Sequence, residues 1–147
     1  MPKLGFSFPI LCLLFITINA LGQKKVEILH ANSLEYDEKS GNRAKKLIGN
    51  VKLKQDDVYM FCDSAYFVTR TNVVDAYGNV RITQGDSLNL SGDSLHYDGN
   101  KKIAQLRGAI VLKEKNTTLT TNFLDYDLQN KIGFYLGGGT IINSKDK

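Results

Sequence analysis

Residues 93–112 read DSLHYDGNKKIAQLRGAIVL and contain both elements of a motif that occurs four times in the chain. The first element, typified by Asp-Ser-Leu-x-Tyr-Asp, recurs at nearly constant spacing, beginning at Asn32, Asp63, Asp93 and Asn122. The second element, typified by Gly-Asn-Val-x-Leu, recurs at the same spacing, beginning at Gly49, Gly78, Gly108 and Gly138. Two markers that keep one period predict four structural units of about thirty residues each.

The apolar residues of each unit recur at every second position, as in Val74, Ala76, Gly78, Val80 and Ile82. A period of two is typical of half-buried antiparallel strands, because successive side chains point to opposite faces of a sheet. By the same alternation, the fourth unit is predicted to turn inward Phe134, Leu136, Gly138, Thr140 and Ile142. The sequence therefore predicts an all-β fold.

The apolar parity shifts by one residue beside Asp63, Asp93 and Asn122. Such a shared shift indicates a bulge or a corner, at which a strand leaves one sheet for a facing one. The recurring glycines of the second element would allow the bend. No proline follows Pro9 and no helical periodicity follows the N-terminal segment, so we expect about eight long, bent strands.

The N-terminal segment has the features of a signal peptide. Lys3 is followed by an uncharged, apolar stretch over residues 4–21, and the small residues Ala20 and Gly22 suit cleavage before Gln23. We therefore expect a signal peptide over residues 1–22, which exports a single domain over residues 23–147. The alternative is an uncleaved anchor, because eighteen uncharged residues could just span a bilayer.

Composition excludes several classes of protein. The chain has 147 residues, of which 42% are hydrophobic, a range typical of a folded single domain. The formal net charge is +4, with Lys and Arg spread along the chain, so we expect no nucleic-acid partner. Two cysteines, only one of them in the expected mature chain, exclude a disulfide framework and a Cys-rich zinc site.

The paired elements, Asp-Ser-Leu-x-Tyr-Asp followed by Gly-Asn-Val-x-Leu, resemble the periplasmic lipopolysaccharide-transport family known as LptA or OstA. The likeness runs from Leu29 to Asn143 and extends to the N-terminal domain of the outer-membrane lipopolysaccharide assembly protein. The resemblance implies a periplasmic, twisted, open antiparallel β-jellyroll, folded into a V that holds lipopolysaccharide acyl chains. It also implies head-to-tail stacking into a bridge across the periplasm. The chain departs from the pattern at Asn32, Asn122 and Gly138-Gly139-Thr140.

The inward apolar positions are the candidate lipid-binding groove. This predicted set comprises Leu34, Tyr36, Leu47, Val51, Leu53, Phe67, Val80, Ile82, Leu95, Tyr97, Leu106, Ile110, Leu112, Leu124 and Tyr126. Periodicity alone does not distinguish a groove from a closed sandwich core made of the same side chains. Basic residues on the strands, such as Lys52, Arg81 and Arg107, either attract phosphate-bearing headgroups or belong to solvated strand faces.

The fourth unit is predicted to form an edge that meets a partner. Its expected outer face is less charged than the others and reads Tyr135, Gly137, Gly139, Ile141 and Asn143. An exposed apolar edge strand is a template for pairing with another chain, and Tyr135 and Ile141 are the candidate contacts. The partner would be a second copy or another bridge component. Alternatively, further polypeptide or the segment from Val26 to Leu29 covers this edge.

No motif indicates catalysis, so we expect a protein that is not an enzyme and has no cofactor and no metal site. His30 and His96 lie far apart in the sequence, without a Cys or acidic motif around them. The predicted function is lipopolysaccharide transport in the periplasm. The alternatives are the periplasmic domain of an outer-membrane assembly protein and a structural β-solenoid that self-assembles without lipid.

Overall fold

The computed structural model describes residues 24–37 and 43–144, and the regular elements in these ranges are all β-strands. They are β1 (Glu27–His30), β2 (Ser33–Asp37), β3 (Ala44–Gln55), β4 (Val58–Val68), β5 (Val73–Gln84), β6 (Leu88–Asp98), β7 (Ile103–Glu114), β8 (Thr117–Asp127), β9 (Ile132–Tyr135) and β10 (Gly139–Asn143). The predicted signal peptide over residues 1–22 lies outside these ranges. Within the described ranges, no helix has the length and apolarity to cross a membrane.

The ten strands form one open antiparallel sheet in which β3 to β8 are neighbours in chain order. β1 and β2 both pair with β3 at one edge, and β9 and β10 both pair with β8 at the other. Each of these edge pairs is one bent strand that is interrupted at its corner, so the ten strands amount to eight bent ones. They form four two-strand units over residues 27–55, 58–84, 88–114 and 117–143. The predicted all-β fold of bent antiparallel strands is confirmed.

A bulge bends the strands where the two sequence markers meet. In β5, Gly78 and Asn79 adopt the left-handed conformation, with φ of +79° and +46°, and the pairing register shifts beside them. A Cβ atom on Gly78 would lie 2.6 Å from the Asp63 carboxylate. The same approach, at 2.5 Å, joins Gly49 to Asn32 and Gly108 to Asp93. The Asp or Asn of one element therefore occupies the space that the glycine of the next element leaves empty.

The corners divide the sheet into two halves, which we call leaf A and leaf B. Leaf A consists of residues 33–37, 44–48, 64–68, 73–77, 94–98, 103–107, 123–127 and 132–135. Leaf B consists of residues 27–30, 51–55, 58–62, 80–84, 88–92, 110–114, 117–121 and 139–143.

The core lies between the two leaves. Cross-strand pairing aligns Leu47, Ala65, Ala76, Leu95, Leu106 and Leu124 across leaf A. It aligns Leu53, Met60, Ile82, Leu90, Leu112 and Leu119 across leaf B. All twelve are buried and belong to one hydrophobic cluster. Burial of such a side chain contributes about 1.5–3 kcal/mol, so the facing leaves are held together mainly by apolar contact.

The fourth unit is one residue out of step with the sequence prediction. Gly137 and Gly138, with φ of +79° and +92°, form its corner, so Gly137 rather than Gly138 corresponds to Gly108. The prediction was wrong because the run of three glycines over residues 137–139 has no side chain to mark the phase.

This correction exchanges the faces of the last two strands. Tyr135 pairs with Leu124 and Ile141 pairs with Leu119, which places both on the inner face. Phe134 and Ile142 pair with Asp125 and Thr118 and lie on the outer face. The predicted inward set of Phe134, Leu136, Gly138, Thr140 and Ile142 is therefore wrong.

We predict that Gly78→Ala destabilises the protein more than Gly137→Ala. Both glycines have φ of +79°, so both substitutions carry the strain of a left-handed alanine, about 1–2 kcal/mol. Only the alanine at position 78 also displaces the Asp63 carboxylate, because nothing lies within 4 Å of a Cβ on Gly137. Urea unfolding of both variants measures the difference, and equal losses of stability would contradict the proposed role of the Asp–Gly contact.

Candidate lipid groove

All fifteen residues predicted to line the groove lie on the inner face, between the leaves. Thirteen of them are buried in the hydrophobic cluster. The other two, Leu34 and Tyr36 on edge strand β2, are 43% and 65% exposed. Along the middle of the molecule the space between the leaves is thus filled by the side chains of the leaves themselves. A lipid would reach them only at an end of the sheet or after the leaves separate.

A buried hydrogen-bond cluster ties the leaves together at the end of β3. The Gln55 side-chain amide donates to the carbonyl oxygens of Gly99, at 2.8 Å, and Lys24, at 2.7 Å. The Tyr97 hydroxyl donates to Gln55 Oε1 at 2.5 Å. Burial raises the pKa of Tyr97, so this hydroxyl keeps its proton. We call this cluster the first latch, since it joins the β3–β4 turn of leaf B to the β6–β7 turn of leaf A.

A second latch repeats the first one unit later but is only half formed. Gln84 donates to the carbonyl oxygen of Leu128 at 3.1 Å, as Gln55 does to that of Gly99. The Tyr126 hydroxyl and Gln84 Oε1, equivalent to the bonded pair of the first latch, are both buried without a hydrogen-bond partner among the described residues. Burial raises the pKa of Tyr126 to about 12. The leaves are therefore joined less firmly at the second latch.

Further contacts strengthen the side of the first latch. The Val26 backbone N–H donates to Asn72 Oδ1 at 2.9 Å, which ties the segment before β1 to the β4–β5 turn. Asp56 forms ion pairs of 2.8 Å with both Lys24 and Lys102. Hydrogen bonds from Lys102 and Lys24 lower the pKa of the Asp56 carboxyl. Units 1 to 3 are thus closed by several polar contacts between the leaves.

The two ends of the sheet leave apolar inner-face residues uncovered. At the first edge these are Leu34 and Tyr36 on β2. At the last edge Tyr135 on β9 and Ile141 on β10 are 40% and 55% exposed, although their pairing partners on β8 are buried. Tyr135 and Ile141, the predicted partner contacts, therefore do lie on the terminal strands, but on the inner rather than the outer face.

Several predicted basic residues lie on the outer face. Lys52, Lys54 and Arg81 lie over the rings of Tyr59 and Phe61, and none of the three forms an ion pair within the described ranges. Arg107, by contrast, pairs with Asp125 at 2.9 Å. The Lys52 and Arg81 side chains, which lie over the Phe61 ring, are thus available to attract an anion.

The histidines lie on the outer surface. His96 contacts Asp75 at 2.6 Å, and His30 contacts the carbonyl oxygen of Asn50 at 2.8 Å. In the described part of the chain, no three His, Cys, Asp or Glu side chains are grouped so as to hold a metal ion. Cys62 is a buried free thiol whose pKa is raised to about 11, mainly by burial.

Sequence reasoning missed the latch residues Gln55, Gln84 and Asn72. A signal was present, because the spacing from Gln55 to Gln84 equals the spacing from Tyr97 to Tyr126 and matches the period of the repeat. The pairing of each glutamine with a tyrosine two units further on depends on how the leaves cross, which the period does not reveal.

Comparisons with known proteins agree with this architecture. A family profile described as OstA-like protein matches residues 23–147. No curated protein matches the chain in sequence. Among solved structures, the chain is similar to LptH, the LptA-homologous periplasmic component of the lipopolysaccharide transport device from Pseudomonas aeruginosa. The TM-score is 0.70 at 15% identity, over 83% of this chain and 96% of that one, so the likeness is one of fold.

We predict that Tyr97→Phe and Tyr126→Phe affect stability differently, although both remove one buried hydroxyl. Tyr97→Phe leaves Gln55 Oε1 without its donor, which costs about 1–3 kcal/mol. Tyr126→Phe removes a hydroxyl that has no partner among the described residues, so its free energy of unfolding stays within about 0.5 kcal/mol of the parent value. Denaturant titration of both variants tests this, and equal effects would contradict the asymmetry of the two latches.

Proposed function

The chain belongs to the OstA-like protein family, and on this premise we propose that it is a non-enzymatic bridge component that carries lipopolysaccharide through the periplasm. The family match over residues 23–147 is the observation that carries this proposal. The fold shared with LptH, a periplasmic component of a lipopolysaccharide transport device, supports it.

The proposed mechanism is shielding of acyl chains by the inner face. The inner rows of both leaves are apolar over most of their length, with Leu106, Ile110 and Leu112 as examples from β7. Transfer of hydrocarbon from water to such a surface is favourable by about 0.8 kcal/mol per methylene. Ten buried methylenes would supply about 8 kcal/mol before the cost of ordering the chain, so no catalytic group is needed to retain the lipid.

We infer that the acyl chain enters where the leaves are joined least firmly. The middle of the interior is filled, so entry requires displacement of one leaf from the other. Opening beside β3 and β6 would break the first latch and the Lys102–Asp56 ion pair. Opening beside β5 and β8 would break, among the described residues, one hydrogen bond, from Gln84 to Leu128. Lipid contact is therefore expected first along units 3 and 4 and at the uncovered edge formed by β9 and β10.

Continuity of the bridge requires end-to-end contact. Within the described ranges, neither edge has a further strand beside it, and both carry exposed apolar side chains, an arrangement suited to strand pairing between chains. We propose that the edge formed by β9 and β10 meets the edge formed by β1 and β2 of a second copy, head to tail. Another bridge component of the same fold could take the place of the second copy at the end of a stack.

A photocrosslinking amino acid at Leu112 is predicted to trap lipopolysaccharide in cells, and the same probe at Lys113 is not. The two positions are adjacent on β7, but Leu112 faces the interior and Lys113 is exposed on the outer face. Lipid adducts detected with an antibody to lipopolysaccharide provide the readout. Absence of an adduct at Leu112, or equal adducts at both positions, would refute the groove. If the chain nevertheless forms stacks, the structural β-solenoid would become the better account.

Ile141→Asp is predicted to reduce self-association, whereas Ile142→Asp leaves it largely intact. Both residues lie on β10 and are more than half exposed, but only Ile141 faces the interior that a second copy would continue. A buried, unpaired carboxylate is strongly unfavourable, so the first variant should be monomeric at concentrations where the parent associates. Light scattering over a concentration series measures this, and the edge proposal fails if both variants associate like the parent.

A further inference from the structure

The contacts between the leaves follow one rule along the chain. The leaf-B segment before unit 1 contacts unit 2 through Val26 and Asn72. The leaf-B turn between units 1 and 2 contacts unit 3 through Gln55 and Tyr97. The turn between units 2 and 3 contacts unit 4 through Gln84 and Leu128. A leaf-B turn that follows one unit therefore contacts the leaf-A turn of the unit two places further along the chain.

Because of this offset of two units, one turn at each end of the sheet lacks a contact partner. The leaf-B turn between units 3 and 4 begins at Glu114, the equivalent of Gln55 and Gln84, and its partner would belong to a fifth unit, which the described residues do not include. Conversely, Tyr36 of unit 1 is the equivalent of Tyr97, and no preceding unit among the described residues supplies its glutamine. Neither Glu114 nor Tyr36 forms a side-chain hydrogen bond or ion pair with the described residues, and Tyr36 is 65% exposed. Glu114 at one end and Tyr36 at the other thus each lack the kind of partner that the other could supply.

The same two ends of the molecule carry charged residues on the inner face. Of the residues that strand pairing places in the inner rows of the described strands, only Lys45 and Glu114 have charged side chains. Lys45 pairs with Tyr36 in unit 1, and Glu114 pairs with Leu88 and Thr117 at the other end of the molecule. Their charges are opposite, and both side chains are only partly buried.

We propose that a third latch forms between copies, in which Glu114 of one copy accepts a hydrogen bond from the Tyr36 hydroxyl and pairs with Lys45 of the next copy. This inference rests on the head-to-tail stacking proposed above and specifies its direction and register. The next copy supplies unit 1 where the rule requires a fifth unit, so the edge formed by β9 and β10 continues into β1 and β2. An ion pair at this position favours the head-to-tail arrangement over head-to-head, which would place like charges together.

Charge reversal tests the third latch. Lys45→Glu and Glu114→Lys each place like charges at the junction and are expected to weaken self-association about tenfold or more. The double variant restores opposite charges and should associate within about threefold of the parent. A 1:1 mixture of the two single variants should also assemble, because opposite charges meet at every junction between alternating copies and only identical neighbours bring like charges together. Lys46→Glu is the matched control, since Lys46 is the neighbouring residue but lies on the outer face beside Glu35.

Sedimentation velocity over a concentration series distinguishes the outcomes. Recovery of assembly in the double variant supports the third latch and shows that the single substitutions do not prevent folding. Single variants that associate like the parent, while Ile141→Asp does not associate, would refute the third latch and leave stacking intact. Loss of assembly without recovery would refute the pairing of these two residues. A parent protein that is monomeric throughout would overturn stacking and the third latch together.

Discussion

The architecture depends on the close contact of an Asp or Asn side chain with a left-handed glycine at the corners of units 1 to 3. The Asp63 carboxylate lies 2.6 Å from where a Cβ on Gly78 would be, so a larger residue there would have to displace it, and the strand bulges at that point. Because the corners coincide across the sheet, the bends add up to a fold line that separates leaf A from leaf B. The inner face, the closed interior and the contacts between turns all follow from this line. A sheet without the corners would expose its apolar rows to water.

The sequence predicted the fold well where the side chains show which residues of a strand face inward. The alternation in units 1 to 3 predicted the strands, the corner beside Asp63 and Asp93, and the inner rows that contain Leu47, Ile82 and Leu106. It failed in unit 4, because residues 137–139 are all glycine and the inner face is reassigned to Tyr135 and Ile141. The latches were also beyond reach, since Gln55 and Tyr97 are distant in sequence and meet only through the crossing angle of the leaves. Periodicity identifies which face is apolar but not which parts of two facing leaves touch.

The closed interior and the proposed transport function make opposite demands on the same side chains. Apolar burial and the first latch hold the leaves together over units 1 to 3, which provides a stable frame. The second latch lacks the tyrosine–glutamine bond, and Tyr135 and Ile141 lie uncovered beside it. The firmly joined part of the leaves and the part proposed to admit lipid thus lie in different units of the chain. The proposed entry of a hydrocarbon chain would displace the weaker contact between units 2 and 4 and leave the contacts of units 1 to 3 in place.

The central claim is that the leaves part beside the second latch to admit an acyl chain. The most direct test is the distance between spin labels at Asp86 and Gln129, two exposed positions in the turns that Gln84 and Leu128 join. Cys62 is buried, and its raised pKa keeps it a thiol, so it should not compete for the label. Pulsed electron–electron spin resonance should show a longer distance when lipopolysaccharide is bound than in its absence. An unchanged distance with lipopolysaccharide bound would contradict entry between the leaves.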